Sequence, residues 1–415
     1  VVMFECFSAD QSSYGCLTAN RDDAFDASGD LQLGTTNVDY SWALYDHFQT
    51  LRTYRETRLR VDPSGVELAT STAPDYREEK IELPEGWLRG FMQIQSAMTL
   101  PMRRLTLSRD ALYSIIAWYK RHKPRKSPRA MRFELVEGKS PAVVLEPWEK
   151  RIESRGTTYN GPSGEPTRVW GARRVLALAR VLPLVESCDV YLLGTGLPSF
   201  WVANLGEMRI TLGLSGWTAN DWSRGSSLDL LAPPGETRRA RMDTASNLLK
   251  NGRAERFDRL QAAMICSPGD TAATLNRLAN SGQVMYDLAA GVYRWRQIMP
   301  MPLGEAELGP ESLELLASRE ILSERNIQVE SQTDVSGGGT LLVGTVLGKQ
   351  VELALDRDGV VRRGKCTCSH HFKSGIRRGP CRHLLALRAA ALGLGSDKND
   401  SAVTWYNRIK RWSEN

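Results

Sequence analysis

Lys365-Cys366-Thr367-Cys368, then twelve residues, then Cys381-Arg382-His383 is the stretch from which the rest of the chain is read. Three thiols and one imidazole complete a tetrahedron around a zinc ion, at about 2.0–2.3 Å, and leave no open position. Cys-x-Cys at a strand end sets both sulfurs on one side, because side chains repeat every two residues along a strand. Gly379-Pro380 ahead of Cys381 is how a helix begins. A helix N-terminus favours the anionic thiolate. His383 then falls in the first turn, and Leu384, Leu385, Leu387, Ala391 and Leu392 give the helix an apolar face. The sequence therefore predicts one structural Zn2+ on Cys366, Cys368, Cys381 and His383. His370 or His371, in the polar segment between the pairs, is an alternative donor.

Working outward, two strands, 340–346 and 350–355, turn at Gly348, and a third, 360–365, leads into the cysteines. A β-meander, Cys-x-Cys, a variable gap and Cys-x-His on a helix resembles the SWIM zinc finger family, over roughly residues 340–392. The resemblance implies binding to DNA or protein, and no catalysis. Ser41 to Phe48, with Arg52, Tyr54, Arg55 and Arg58, is similar to the N-terminal part of bacterial SWIM proteins that accompany MoxR-type AAA ATPases and von Willebrand A-domain proteins. That likeness implies a protein partner from an AAA ATPase system.

The expected fold class is α+β, a mixed multi-unit scaffold with a winged helix and a small C-terminal ββ(β)α zinc module. Residues 1–35, rich in Ser, Asp, Gly and Asn, read as a loosely ordered lead-in. Residues 36–235 read as an α+β region. It holds a hairpin turning at Asp62-Pro63-Ser64-Gly65 and a helix from Glu85 with Trp87, Phe91, Ile94 and Met98 on one face. A helix capped by Ser108 is followed by strands 131–136 and 142–145. A helix over 172–185 is followed by strands 190–193, 200–203 and 208–212, which hints at a duplicated helix-hairpin unit. Residues 236–300 read as the winged helix, 301–339 as an acidic connector with a Gly337-Gly338-Gly339 hinge, 340–395 as the zinc module and 396–415 as a basic-aromatic tail.

The chain has 415 residues and a formal net charge of +6. That mild excess permits an anionic partner without demanding one. A winged helix reads DNA with its third helix, here offering Asn276, Arg277 and Asn280, and touches backbone with its wing. Arg294 and Arg296 share a strand face there, as phosphate contacts require. In the zinc module the expected nucleic-acid or partner contacts are Arg362, Arg363, Lys365, Lys373, Arg377, Arg378 and Arg382. The densest basic run, Lys120 to Arg129, reads as a solvated loop.

The full Gly-x-x-x-x-Gly-Lys-Ser/Thr phosphate loop and the His-Glu-x-x-His motif are missing, and Gly194-Thr195-Gly196 lacks the third glycine of a dinucleotide loop. The chain is read as no enzyme. Cys6, Cys16, Cys188 and Cys266 are scattered, so a disulfide framework is not expected and the compartment is read as cytoplasmic. No run approaches the ~18 apolar residues of a membrane span, so membrane is not among the expected partners.

Overall fold

The computed structural model describes residues 1–20, 34–70, 73–83, 85–100, 102–124, 129–194, 197–215, 237–298, 313–335, 339–355, 361–375 and 380–391. The first half runs β1 (Val2–Phe7), β2 (Ser13–Ala19), α1 (Trp42–Gln49), β3 (Thr57–Asp62), β4 (Gly65–Thr70), β5 (Ala73–Glu79), α2 (Glu85–Met98), β6 (Arg103–Ser108), α3 (Arg109–Arg121), β7 (Ala130–Glu134), β8 (Ala142–Leu145), β9 (Lys150–Glu153) and β10 (Thr167–Trp170). Two 3-10 helices follow, Ala172–Arg180 and Leu182–Leu184, then β11 (Ser187–Leu192), β12 (Ser199–Asn204) and β13 (Met208–Leu214). The fold is mixed α+β, as the sequence predicts.

A six-stranded antiparallel sheet, ordered β1-β2-β13-β12-β11-β6, is the central layer. Strand β12 shows why it is buried on both sides. Trp201 and Ala203 enter one core with α3, Phe133 and Leu145, whereas Phe200 and Val202 enter another with Phe91 and Ile94 of α2. Alternation along the strand sends successive side chains to opposite faces, and here both faces are apolar. The first core is shared with a second sheet, β10-β7-β8-β9. Helix α3 starts where the sequence places it: the Ser108 side chain accepts from Ala111 N, and Asp110 lies in the first turn.

Three expectations need correction. Residues 2–19 are no loose lead-in, because β1 and β2 complete the six-stranded sheet and bury Phe7, Tyr14 and Cys16. Polar composition hides this, since β2 buries Tyr14, Cys16, Thr18 and Ala19 between half-buried Ser13, Gly15 and Leu17. Residues 21–33 lie outside the described residues. Next, 172–184 forms 3-10 turns rather than an α-helix. The duplication also fails: β7 and β8 belong to the four-stranded sheet, whereas β11 to β13 belong to the six-stranded one.

The next unit runs α4 (Arg239–Gly252), β14 (Ala254–Glu255), α5 (Phe257–Met264), α6 (Pro268–Asn280), β15 (Val284–Asp287) and β16 (Val292–Trp295), its strands ordered β14-β16-β15. Three helices and a hairpin are therefore present where they are expected. Helix α6, however, is packed on the scaffold. Asn276 is buried and its Nδ2 donates to Ser96 O at 3.2 Å, Ser96 Oγ at 2.9 Å and Thr99 Oγ1 at 2.8 Å.

The last unit holds α7 (Leu313–Ser323), β17 (Ile327–Val335), β18 (Gly339–Val346), β19 (Lys349–Leu355), β20 (Val361–Cys366), α8 (Ser369–Ser374) and α9 (Arg382–Ala391). Its strands pair antiparallel in chain order. The expected connector is thus corrected for its described part: α7 and β17 belong to this unit, and β17 pairs with β18, Val335 opposite Gly339. The tail, 396–415, lies outside the described residues. Among the described residues no helix is long and apolar enough to cross a membrane.

Candidate metal centre

Strand β20 delivers Cys366 as its last residue, opposite Val351 of β19. Cys368, two residues on, caps α8, and its Sγ accepts from His371 N at 3.4 Å. Cys381 stands immediately before α9, and His383 is the second residue of that helix. Helix α9 lies close over the sheet because two strand positions carry no side chain. A Cβ on Gly364 would come within 2.8 Å of Leu384 Cδ2, and one on Gly344 within 2.8 Å of Leu387 Cδ1. The helix is thereby seated so that its first turn faces the end of β20.

The result is a convergence of Cys366, Cys368, Cys381 and His383, whose ligand atoms all lie within 4.8 Å of one another. All four are at most 9% exposed. Their core neighbours are Leu342, Val346, Val351, Leu353, Leu384 and Leu387. Crowding thiols in such a place is electrostatically awkward. The Cys381 thiol is pushed up to about 12, first because it is hydrogen-bonded to Cys366 and then because it is buried. Cys366, receiving that bond, is held below the usual thiol value. His383 Nδ1 is buried without a hydrogen-bond partner. Three soft sulfurs and an orphaned imidazole nitrogen form a donor set that a divalent cation such as zinc would satisfy. His370 and His371 are not part of this group.

One residue that sequence reasoning passed over supports the site. Glu314, in the first turn of α7, accepts from Arg382 N at 2.7 Å, Nη2 at 2.7 Å and Nε at 3.2 Å. These bonds hold its carboxyl below the usual range, the Arg382 side chain first among the causes. A carboxylate at the start of α9 also suits the helix dipole. Glu314 lies in an acidic run that reads as solvated, and nothing in its local sequence marks its reach to α9.

The other expected contacts are dispersed. Arg363 and Lys365 are exposed on β20, with Lys365 Nζ 3.0 Å from Glu352, and Lys373 is exposed on α8. Arg362 lies on β20. Arg382 is taken by Glu314. Arg377 and Arg378 lie outside the described residues. The two wing arginines are a correction. Arg294 is bound to Asp287 at 2.9 Å, and Arg296 reaches Glu5 at 2.6 Å and lies over the Phe91 ring at 4.9 Å. With side chains 20% and 10% accessible, both serve packing inside the chain rather than phosphates.

No family model matches the sequence, and no curated protein does. Among solved structures, the chain is similar to proliferating cellular nuclear antigen from Entamoeba histolytica, at 15% identity and a TM-score of 0.36, covering 52% of this chain and 84% of that one. It is also similar to the structure described as the C-terminal region of FEN-1 bound to A. fulgidus PCNA, at 13% identity and a TM-score of 0.37, covering 53% of this chain and 86% of that one. At these scores neither likeness assigns a fold or a function.

Proposed function

We propose that the chain is a SWIM-type zinc protein acting as a non-enzymatic adaptor or regulator, in which the metal holds a recognition surface in shape. The observation that carries this is the buried convergence of Cys366, Cys368, Cys381 and His383 between β20 and α9. Three thiolates and an imidazole close the coordination sphere, so the ion would serve structure rather than catalysis. The N-terminal region supports contact with a protein. Trp42 is 82% exposed, Tyr54 77% and Tyr40 64%, and rings of Tyr40, Trp42, Tyr45 and Phe48 touch one another. Exposed tryptophan and tyrosine beside arginine are what protein interfaces use as anchors. With the resemblance of Ser41–Arg58, this favours a protein partner from an AAA ATPase system.

The test is zinc content per chain, in the native protein and in Cys381→Ser. One zinc in the first and less than about a tenth of that in the second supports the reading. A freshly reduced native chain without zinc overturns it.

A second reading is nucleic-acid binding, for which the winged helix and the basic zinc module were the expected surfaces. The element order and sheet of 237–298 support a winged helix, but Asn276 of its third helix and the wing arginines are turned inward, and only Arg277 of the expected readout residues is exposed. What favours this reading is the zinc module alone, where Val361 to Ala391 contains no aspartate or glutamate.

A further inference from the structure

Phe372 is 90% exposed, although it belongs to a helix and sits four residues beyond a buried candidate ligand. Its position is set from that ligand. Phe372 N donates to Cys368 O at 3.0 Å, and His371 N donates to Cys368 Sγ at 3.4 Å. Whatever fixes Cys368 therefore fixes the backbone that carries the ring.

Among the described residues, the carboxylates that reach this segment from elsewhere are Glu314, bound to Arg382 and 3.7 Å from His370, and Glu352, bound to Lys365. Lys373, next to the ring, and Arg363, on β20, are exposed and carry no ion pair among the described residues. An exposed apolar ring in a basic module whose described carboxylates are already paired suits a polymer that offers both phosphates and flat stackable faces. In a duplex those faces are covered, so a lone protruding ring meets them on unpaired bases.

We propose that this zinc knuckle binds single-stranded nucleic acid, with Phe372 stacking on an unpaired base, Lys373 on a flanking phosphate and Arg363 adding to the positive field. The inference rests on the nucleic-acid reading above and narrows its target from duplex to single strand.

The experiment is fluorescence anisotropy of a labelled oligothymidylate titrated with the intact, zinc-loaded chain, beside a duplex of equal length. The single strand is expected to bind in preference to the duplex, with affinity that falls as salt rises. Phe372→Ala should weaken binding about tenfold or more, Phe372→Trp should preserve it, and zinc content should stay unchanged in both. Lys373→Ala should flatten the salt dependence by about one phosphate contact. Equal binding to duplex, or a Phe372→Ala chain that binds like the native one, overturns base stacking. Zinc measured on the same samples separates the failures: a chain without zinc sinks the metal centre, while a zinc-loaded chain that ignores the single strand sinks this inference alone.

Discussion

Cys381 is the residue whose chemistry a metal would change most. As a thiol it donates to Cys366 and is wholly buried, which pushes it up to about 12. A cation takes the thiolate, so binding must expel that proton. The sign follows: the folded, metal-free site holds its proton across the neutral range, and protons compete with zinc more strongly as pH falls. Zinc affinity, measured by competition with a chromophoric chelator, should drop about tenfold or more for each unit of pH lost near neutrality. An affinity that ignores pH would mean that the proton on Cys381 is not displaced. Arg296 makes a different point at the same scale. Its guanidinium is spent on Glu5 and on the Phe91 ring, so its basic character carries no information about an outside partner.

Between elements, the decisive contact is α9 on its sheet. Gly364 and Gly344 let Leu384 and Leu387 approach the strands closely. Gly364→Ala should force Leu384 outward, destabilising the unit by about 1–3 kcal/mol; the check is a lower thermal midpoint together with weaker zinc retention. An unchanged midpoint would show that the Leu384 side chain simply gives way. How much of this was legible varies with the kind of signal. Ligand spacing is local chemistry, so the four metal residues could be named from the sequence alone, as could the Ser108 cap. Period-two alternation put Arg294 and Arg296 on one face, where the structure gives them different acidic partners, Asp287 and Glu5. Periodicity says which residues share a face, however, and not whether that face meets solvent. Asp287 and Glu5, which turn it inward, come from 7 residues away and from the opposite end of the chain. Strand β2 was hidden for the same reason, and β1 with it: β2 joins the sheet through β13, almost 200 residues on, and no local pattern encodes such a pairing.

At the scale of the whole molecule, the cores divide unequally. The clusters around the six-stranded sheet draw on residues from Phe7 to Ile298. The cluster around the metal site draws only on residues from Ile321 to Ala391, and three of its members are the cysteines themselves. Losing the ion should therefore empty the small core without touching the large ones. Thiols forced together with no cation lose what holds them, and the few leucines behind them make a core too small to stand alone. On adding a chelator, hydrogen exchange is expected to accelerate in β18–β20 and α9 and to stay unchanged in β11–β13. Asn276 and Arg296 tie the unit over 237–298 to the large cores through Ser96, Thr99 and Glu5, so its amides should keep their protection too. Protection lost everywhere on chelation would show that the metal holds the whole chain together. Protection lost nowhere would show that the C-terminal sheet stands without the ion, and the four ligands would then have to be read as a buried thiol cluster.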